Sequence, residues 1–332
     1  MLAMRSSSAG TTKAGSNHPQ VQISSDQLLA KVYVPDVENG FYRGTRFDWS
    51  GVISSLECAG HRYYGAWYTK FLPEVHDFIY DNGDIVAGLQ SAITGPAEEF
   101  PQPQGYGAAK PGATFVKLGV GVLRKLDDSP YSSYGNYEII DSGTWSVRAD
   151  PASVEFEQAV TDPASGCGYQ YRKTMRVASG RSGLAIEHSL RNIGRVPIEA
   201  EQYNHNFLTL DSAQIGPDFV ITFPYPIQAV RPDPQVTTVE GNEIRFVRRL
   251  ANQDAVSFPI VGFGMEARDY DFRVENRRTA VGVRVTGDRP LTRMVLWSIR
   301  TVLSIEPFID VSCAPGESVS WTYTYSFYTL DA

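Results

Sequence analysis

The sequence predicts an all-β chain of antiparallel strands, and three observations carry that prediction. Charged residues make up only 20% of the chain, below the roughly 25% of an average soluble domain. Aromatic residues reach 12%, with 18 Tyr and 16 Phe, and 29 Gly and 20 Pro punctuate them. Between those breaks, apolar residues recur with period two, the spacing of a half-buried strand. Neither the long amphipathic stripes of a helical bundle nor the alternating strand and helix of a doubly wound nucleotide fold is present. The length of 332 residues allows two ordinary domains, but β sandwiches reach about 250 residues as one unit. No shift in composition marks a linker. Residues 21–332 therefore read as one domain behind a Ser/Thr/Gly-rich tail, residues 1–20, expected to be disordered.

Taken in order, the elements have these signatures. Stretches 25–30 and 65–75 carry the only moderately helical patterns. The run Phe100-Pro101-Gln102-Pro103-Gln104-Gly105 reads as a loop. In 115–121, Lys117 stands mid-strand among apolar residues. Segment 153–160 puts Val154, Phe156 and Gln158 on one face. Segment 183–190 does the same with Leu184, Ile186 and His188, then turns at Asn192-Ile193-Gly194. Val281, Val283 and Val285 share a face in 279–286. Apolar segment 294–305 reads as a strand ended by Pro307. The clearest stripe is Val319, Trp321, Tyr323, Tyr325 and Phe327, separated by Ser and Thr.

Several functions are excluded by what is missing. A net charge of −7 argues against a nucleic-acid footprint, and no apolar run is long enough for a membrane-spanning helix. The three Cys, at 58, 167 and 313, form no C-x-x-C pair, so no zinc site is expected and buried reduced thiols are. Phosphate-loop, zinc-helix and nucleophile-elbow motifs are absent. No metal and no cofactor is expected. The polar N-terminus lacks an apolar signal segment, so a cytoplasmic location is expected, with the periplasm the alternative if an export signal lies outside this chain. A monomer or homodimer fits the low charge.

Five constellations carry chemistry. His205, in Glu201-Gln202-Tyr203-Asn204-His205-Asn206-Phe207-Leu208, exchanges protons near neutral pH; the alternative is a core His bonded to backbone. Glu306, in Ser304-Ile305-Glu306-Pro307, has apolar neighbours that raise a carboxyl pKa and suit it to proton transfer; the alternative is a solvated strand-end charge. Arg43, Arg46, Asp48 and Trp49 lie in Tyr42-Arg43-Gly44-Thr45-Arg46-Phe47-Asp48-Trp49. There, aromatic faces suit sugar rings and Arg forks suit hydroxyls or acids. Glu98 and Glu99 alternate faces, so at most one is expected in a pocket. Lys117 needs a partner or loses its charge.

On these motifs the chain resembles the galactose mutarotase-like family, the aldose 1-epimerases and hexose-phosphate mutarotases. Asn204-His205-Asn206-Phe207-Leu208 is similar to that family's segment bearing the acid His. Ser304-Ile305-Glu306-Pro307, followed by Ala314-Pro315-Gly316-Glu317 and an aromatic last strand, is similar to its Glu-bearing C-terminal end. The resemblance implies an antiparallel β-supersandwich, a small sugar as ligand, and interconversion of its α and β anomers without cofactor. It implies Glu306 as base and His205 as acid. The family's second active-site His has no counterpart, since the matching stretch offers Lys117. Arg43, Arg46 and Lys117 together imply an acidic or phosphorylated sugar, with Asn204, Glu98, Glu99 and Trp49 as further ligand contacts. The alternatives are a non-catalytic carbohydrate-binding protein on the same fold, or a glycan lyase or hydrolase. A lyase would use Tyr203 beside Lys117. A hydrolase would pair Glu98 or Glu99 with Glu306.

Overall fold

The computed structural model describes residues 18–330; apart from residues 18–20, the tail expectation lies outside them. Two antiparallel sheets dominate. The larger has ten strands, ordered Thr144–Asp150, Ser153–Asp162, Cys167–Val177, Gly183–Asn192, Ser318–Thr329, Val281–Gly287, Asp271–Asn276, Phe219–Thr222, Glu243–Phe246 and Thr237–Glu240. The smaller has six, ordered Gln228–Ala229, Ala255–Val261, Arg293–Ile299, Val302–Cys313, Ile198–His205 and Ala97–Glu99. Their facing sides share one apolar core. It takes Val154, Phe156, Leu184, Ile186, Trp321, Tyr323 and Tyr325 from the large sheet, and Leu296, Leu303, Ile305 and Ile309 from the small one. The period-two stripes read from the sequence are the inward faces of these strands, as sheet-on-sheet packing requires.

A second core cluster lies on the outer face of the six-stranded sheet. Phe47, Trp67, Ile93, Phe115 and Phe207 belong to it. Two three-stranded sheets cover this face. One is Thr114–Lys117, Gly121–Arg124 and Glu138–Asp141; the other is Lys70–Phe71, Phe78–Asp81 and Asp84–Ala87. The six-stranded sheet is therefore buried on both sides.

Neither helical expectation survives. Leu28, Ala30 and Val32 alternate inward on strand Leu28–Tyr33, so the apolar period was two. Stretch 65–75 is loop around the short strand Lys70–Phe71, which pairs in parallel with Asp84–Ala87. Pro307 does not end a strand either. Segment 294–305 is two strands, and Glu306 and Pro307 lie inside Val302–Cys313. Pro lacks a backbone donor, and the ladder to Ile198–His205 stops at Tyr203↔Phe308, just before Pro307. It resumes as a single bridge, Leu208↔Leu303. Asn206 spans the gap: its backbone N–H donates to Ser304 Oγ at 2.8 Å, and its side-chain amide to Ile305 O at 2.7 Å. Gly95 fits beside this repair because a Cβ there would stand 2.1 Å from Asn206 O.

Cys58, Cys167 and Cys313 are free and buried. Among the described residues, no helix is long and apolar enough to cross a membrane.

Candidate active site

Alternation along two neighbouring strands builds the site. On Ile198–His205, Gln202 and Asn204 point inward and Tyr203 and His205 outward. On Val302–Cys313, Leu303 and Ile305 enter the inner core, so Glu306 and Phe308 face outward. Tyr203 pairs with Phe308; two residues further along each antiparallel strand, His205 meets Glu306. His205 Nε2 is 3.1 Å from Glu306 Oε1. The adjacent strand Arg293–Ile299 adds Trp297, whose ring centre is 5.0 Å from that of His205.

The pair opens into a cavity of about 190 Å3 lined by Arg46, Trp67, Asp77, Phe78, Tyr134 and Trp297, among others. Phe207, with φ of 43°, stacks face to face on His205 at 3.6 Å and on Trp67 at 5.6 Å. Arg46 lies over the Phe47 and Tyr134 rings at 4.4 and 4.6 Å. Its Nε donates to Glu99 Oε2 at 2.8 Å and a terminal nitrogen to Tyr203 at 3.1 Å. Tyr203 Oη also donates to Glu99 Oε2, at 2.6 Å. Arg46 thus reaches the cavity from a fixed anchor.

Burial dominates the electrostatics of the pair. It pushes the Glu306 carboxyl up to about 8; Glu99 adds to that rise, while Arg46 and Arg293 oppose it. Burial, with Arg46, holds His205 well below the ordinary His range. His205 Nδ1 is buried without a partner. Both shifts favour a neutral pair over a carboxylate facing an imidazolium. The resemblance implies a carboxylate facing an imidazolium; burial pushes both groups the other way.

The remaining residues singled out in the sequence are distributed differently. Arg43 is exposed and donates to Glu38 O at 2.9 Å; it lies with Trp49 at a separate shallow depression. Trp49 is buried and donates to Gly44 O, and Phe41 stacks on Tyr33, so the aromatics of 41–49 pack the fold and form no exposed sugar platform. Lys117 is 0% exposed. It donates to Phe100 O at 2.6 Å and stands 3.6 Å from Glu99, and burial lowers it to about 8 against the pull of Glu99. Asn204 faces the inner core and donates to Tyr325 Oη. Glu99 stands behind Arg46; burial would raise it, but Arg46 and Lys117 outweigh that and hold it at about 2.

Glu98 points the other way, between the sheets. It lies 3.2 Å from Lys173 and 3.0 Å from His188, and Lys173 also meets Asp48. All four side chains are almost wholly buried, and His188 stacks on Trp321 at 4.7 Å. Of the three cations expected at a pocket, only Arg46 lines this one. Trp67, Asp77 and Trp297 were not singled out from sequence. Trp297 alone left a signal: it alternates with inward Leu296 and so shares a face with Glu306. Among the described residues, no three His, Cys, Asp or Glu side chains converge as a metal site requires.

No protein-family model and no curated protein matches this chain. Solved structures do. A galactose mutarotase-like protein from Clostridium acetobutylicum aligns with a TM-score of 0.54 at 13% identity, covering 94% of this chain and 96% of its own. An aldose epimerase homologue from C. elegans aligns at 0.52 and 14%, covering 95% and 100%. A galactose mutarotase related enzyme from Lactobacillus acidophilus aligns at 0.51 and 11%, covering 94% and 98%. These likenesses extend over nearly the whole chain and establish a galactose mutarotase-like fold.

Proposed function

We propose that this chain, on its galactose mutarotase-like fold, is an aldose 1-epimerase-like enzyme that interconverts the α and β anomers of a monosaccharide. One observation carries the reading: His205 and Glu306 touch at the mouth of an aromatic-walled cavity. Anomer exchange needs one group that gives a proton and one that takes a proton, both within reach of the two oxygens on C1. The pair holds one proton and fills both roles.

The group without the proton takes hydrogen from the C1 hydroxyl. The C1–ring-oxygen bond breaks, the electron pair of the former O–H bond forms the aldehyde C=O, and the other group protonates the departing ring oxygen. Rotation about C1–C2 presents the opposite carbonyl face, and the steps reverse. Each half-reaction moves the proton from one member of the pair to the other, so the neutral total is kept. Trp67 and Trp297 offer apolar faces to the ring, and Arg46 offers donors to its hydroxyls. At about 190 Å3 the cavity is below the roughly 300–1,000 Å3 of drug-sized sites, which favours one sugar ring over a glycan chain. Glu98 and Glu99, the carboxylates a glycosidase would pair with Glu306, are both held in ion pairs.

Polarimetry or exchange NMR on freshly dissolved α-anomers tests the reading. Wild type should accelerate exchange, and Glu306→Gln and His205→Asn should each reduce it by at least about a hundredfold, the contribution of one acid or base. No acceleration of any sugar by wild type sinks the enzyme; full activity in both variants sinks the site.

A further inference from the structure

We infer that Asp77 is the specificity residue of this cavity and makes it select an uncharged sugar over a uronate or a sugar phosphate. This rests on the reading of the cavity as a monosaccharide site. The charges of the lining are the argument. Arg43 lies elsewhere, and Lys117 is sealed behind Glu99. Arg46 is the single cation among the lining residues, and its charge is already matched by Glu99 at 2.8 Å. Against it stands the Asp77 carboxylate, since burial keeps the other lining carboxyl, Glu306, protonated near neutral pH.

Glu306 is occupied with His205. Asp77 is in no ion pair among the described residues, unlike the buried Asp48, Glu98 and Glu99. The nearby Ser91 hydroxyl donates to the Asp77 backbone carbonyl and also stabilises its carboxylate. Burial pushes the Asp77 carboxyl up, while Arg46 and Ser91 oppose that rise. A partly desolvated carboxylate without an ion-pair partner gains when a ligand supplies donors, and sugar hydroxyls supply them. An anionic substituent would instead meet a like charge in a confined cavity.

Asp77 precedes strand Phe78–Asp81 of a small sheet covering the site. Selectivity therefore resides in the covering sheet, and proton transfer in the six-stranded sheet beneath.

The test uses the full chain with glucose, glucuronate and glucose 6-phosphate, reading both ligand binding by saturation-transfer NMR and anomer exchange. Wild type should prefer glucose to either anion by at least about tenfold. Asp77→Asn should narrow or reverse that ratio by about tenfold or more, and Asp77→Glu should keep it, since discrimination is a difference of affinities. Equal handling of glucose and the anions by wild type overturns the inference, as does an unchanged ratio in a folded Asp77→Asn. If Asp77→Asn fails to fold, the wild-type ratio together with its retention in Asp77→Glu decides. Selective binding of glucose without exchange removes the catalytic reading but leaves the selectivity. Absence of all sugar binding removes both.

Discussion

Glu98 and Glu99 are consecutive on strand Ala97–Glu99, yet their carboxylates join separate buried charge networks on opposite faces of the sheet. Glu98 faces inward to Lys173 and His188, at 3.2 and 3.0 Å. Glu99 faces outward to Arg46, at 2.8 Å. Strand alternation forces the separation, and it makes two similar substitutions differ in effect.

Glu98→Gln leaves Lys173 and His188 short of a buried partner, although Lys173 keeps Asp48. Removing one member of a buried ion pair costs about 3–5 kcal/mol, and the remaining Asp48 contact puts the expected loss at the lower end of that range. Urea denaturation measures it. Because the network lies on the opposite side of the sheet from the candidate site, anomer exchange per folded molecule should change little at temperatures where the variant is folded.

Glu99→Gln acts on the site instead. It releases the anchor of Arg46 and of Tyr203, so the guanidinium is no longer fixed at the cavity. The expected result is a loss of about tenfold in kcat/KM for anomer exchange, of the size that misplacing a positioning group produces. Steady-state kinetics on wild type and variant check it. An exchange rate unchanged in a folded Glu99→Gln would mean that Arg46 keeps its place without Glu99.

The parts of this molecule that were legible in the sequence obey strict alternation. Val154, Phe156, Ile186, Trp321 and Tyr323 announce their inward faces because each strand buries one side only. His205 and Glu306 were recognisable from short motifs, and their juxtaposition follows from register once Tyr203 is paired with Phe308. Arg43 and Arg46 lie three residues apart in a loop, where no period says which one enters a cavity. Asp77 and Trp67 come from covering loops whose positions depend on long-range packing. Lys117 was correctly suspected of needing a partner, but its complete burial behind Glu99 is a tertiary fact. Stretch 25–30 reads as helical although it runs into strand Leu28–Tyr33, because a short apolar run does not separate periods of two and 3.6.

The resting proton arrangement sets the pH profile. On the proposed mechanism, exchange requires a single proton on the pair. Above about pH 8 Glu306 ionises, the pair has no acid left, and the rate falls. On the acid side the pair must gain a second proton on His205, which burial and Arg46 displace well below the ordinary His range. The profile should therefore be flat through the usual His titration near pH 6.5 and fall above about 8. Rates corrected for the uncatalysed reaction, from about pH 5 to 9, measure it. A limb centred at the ordinary His value would indicate that His205 is far better solvated than its contacts show.

The same carboxyl links pH to stability, with a definite sign. Its folded value of about 8 lies above its ordinary 4.5, so the folded protein binds the proton more tightly than the unfolded chain. Stability from this group is complete below pH 4.5 and is lost progressively as pH rises through the folded value. Glu306→Gln copies the shape of the protonated carboxyl but cannot ionise. Relative to wild type, the variant should therefore gain stability steadily from about pH 5 to 8, by on the order of a few kcal/mol, and level off above. Parallel denaturation curves for the two proteins across that range measure the difference, in which the opposing Glu98 and Glu99 contributions cancel because both proteins carry them. A difference that stays constant with pH would show that Glu306 is already ionised in the folded state, and would return the pair to a carboxylate facing an imidazolium.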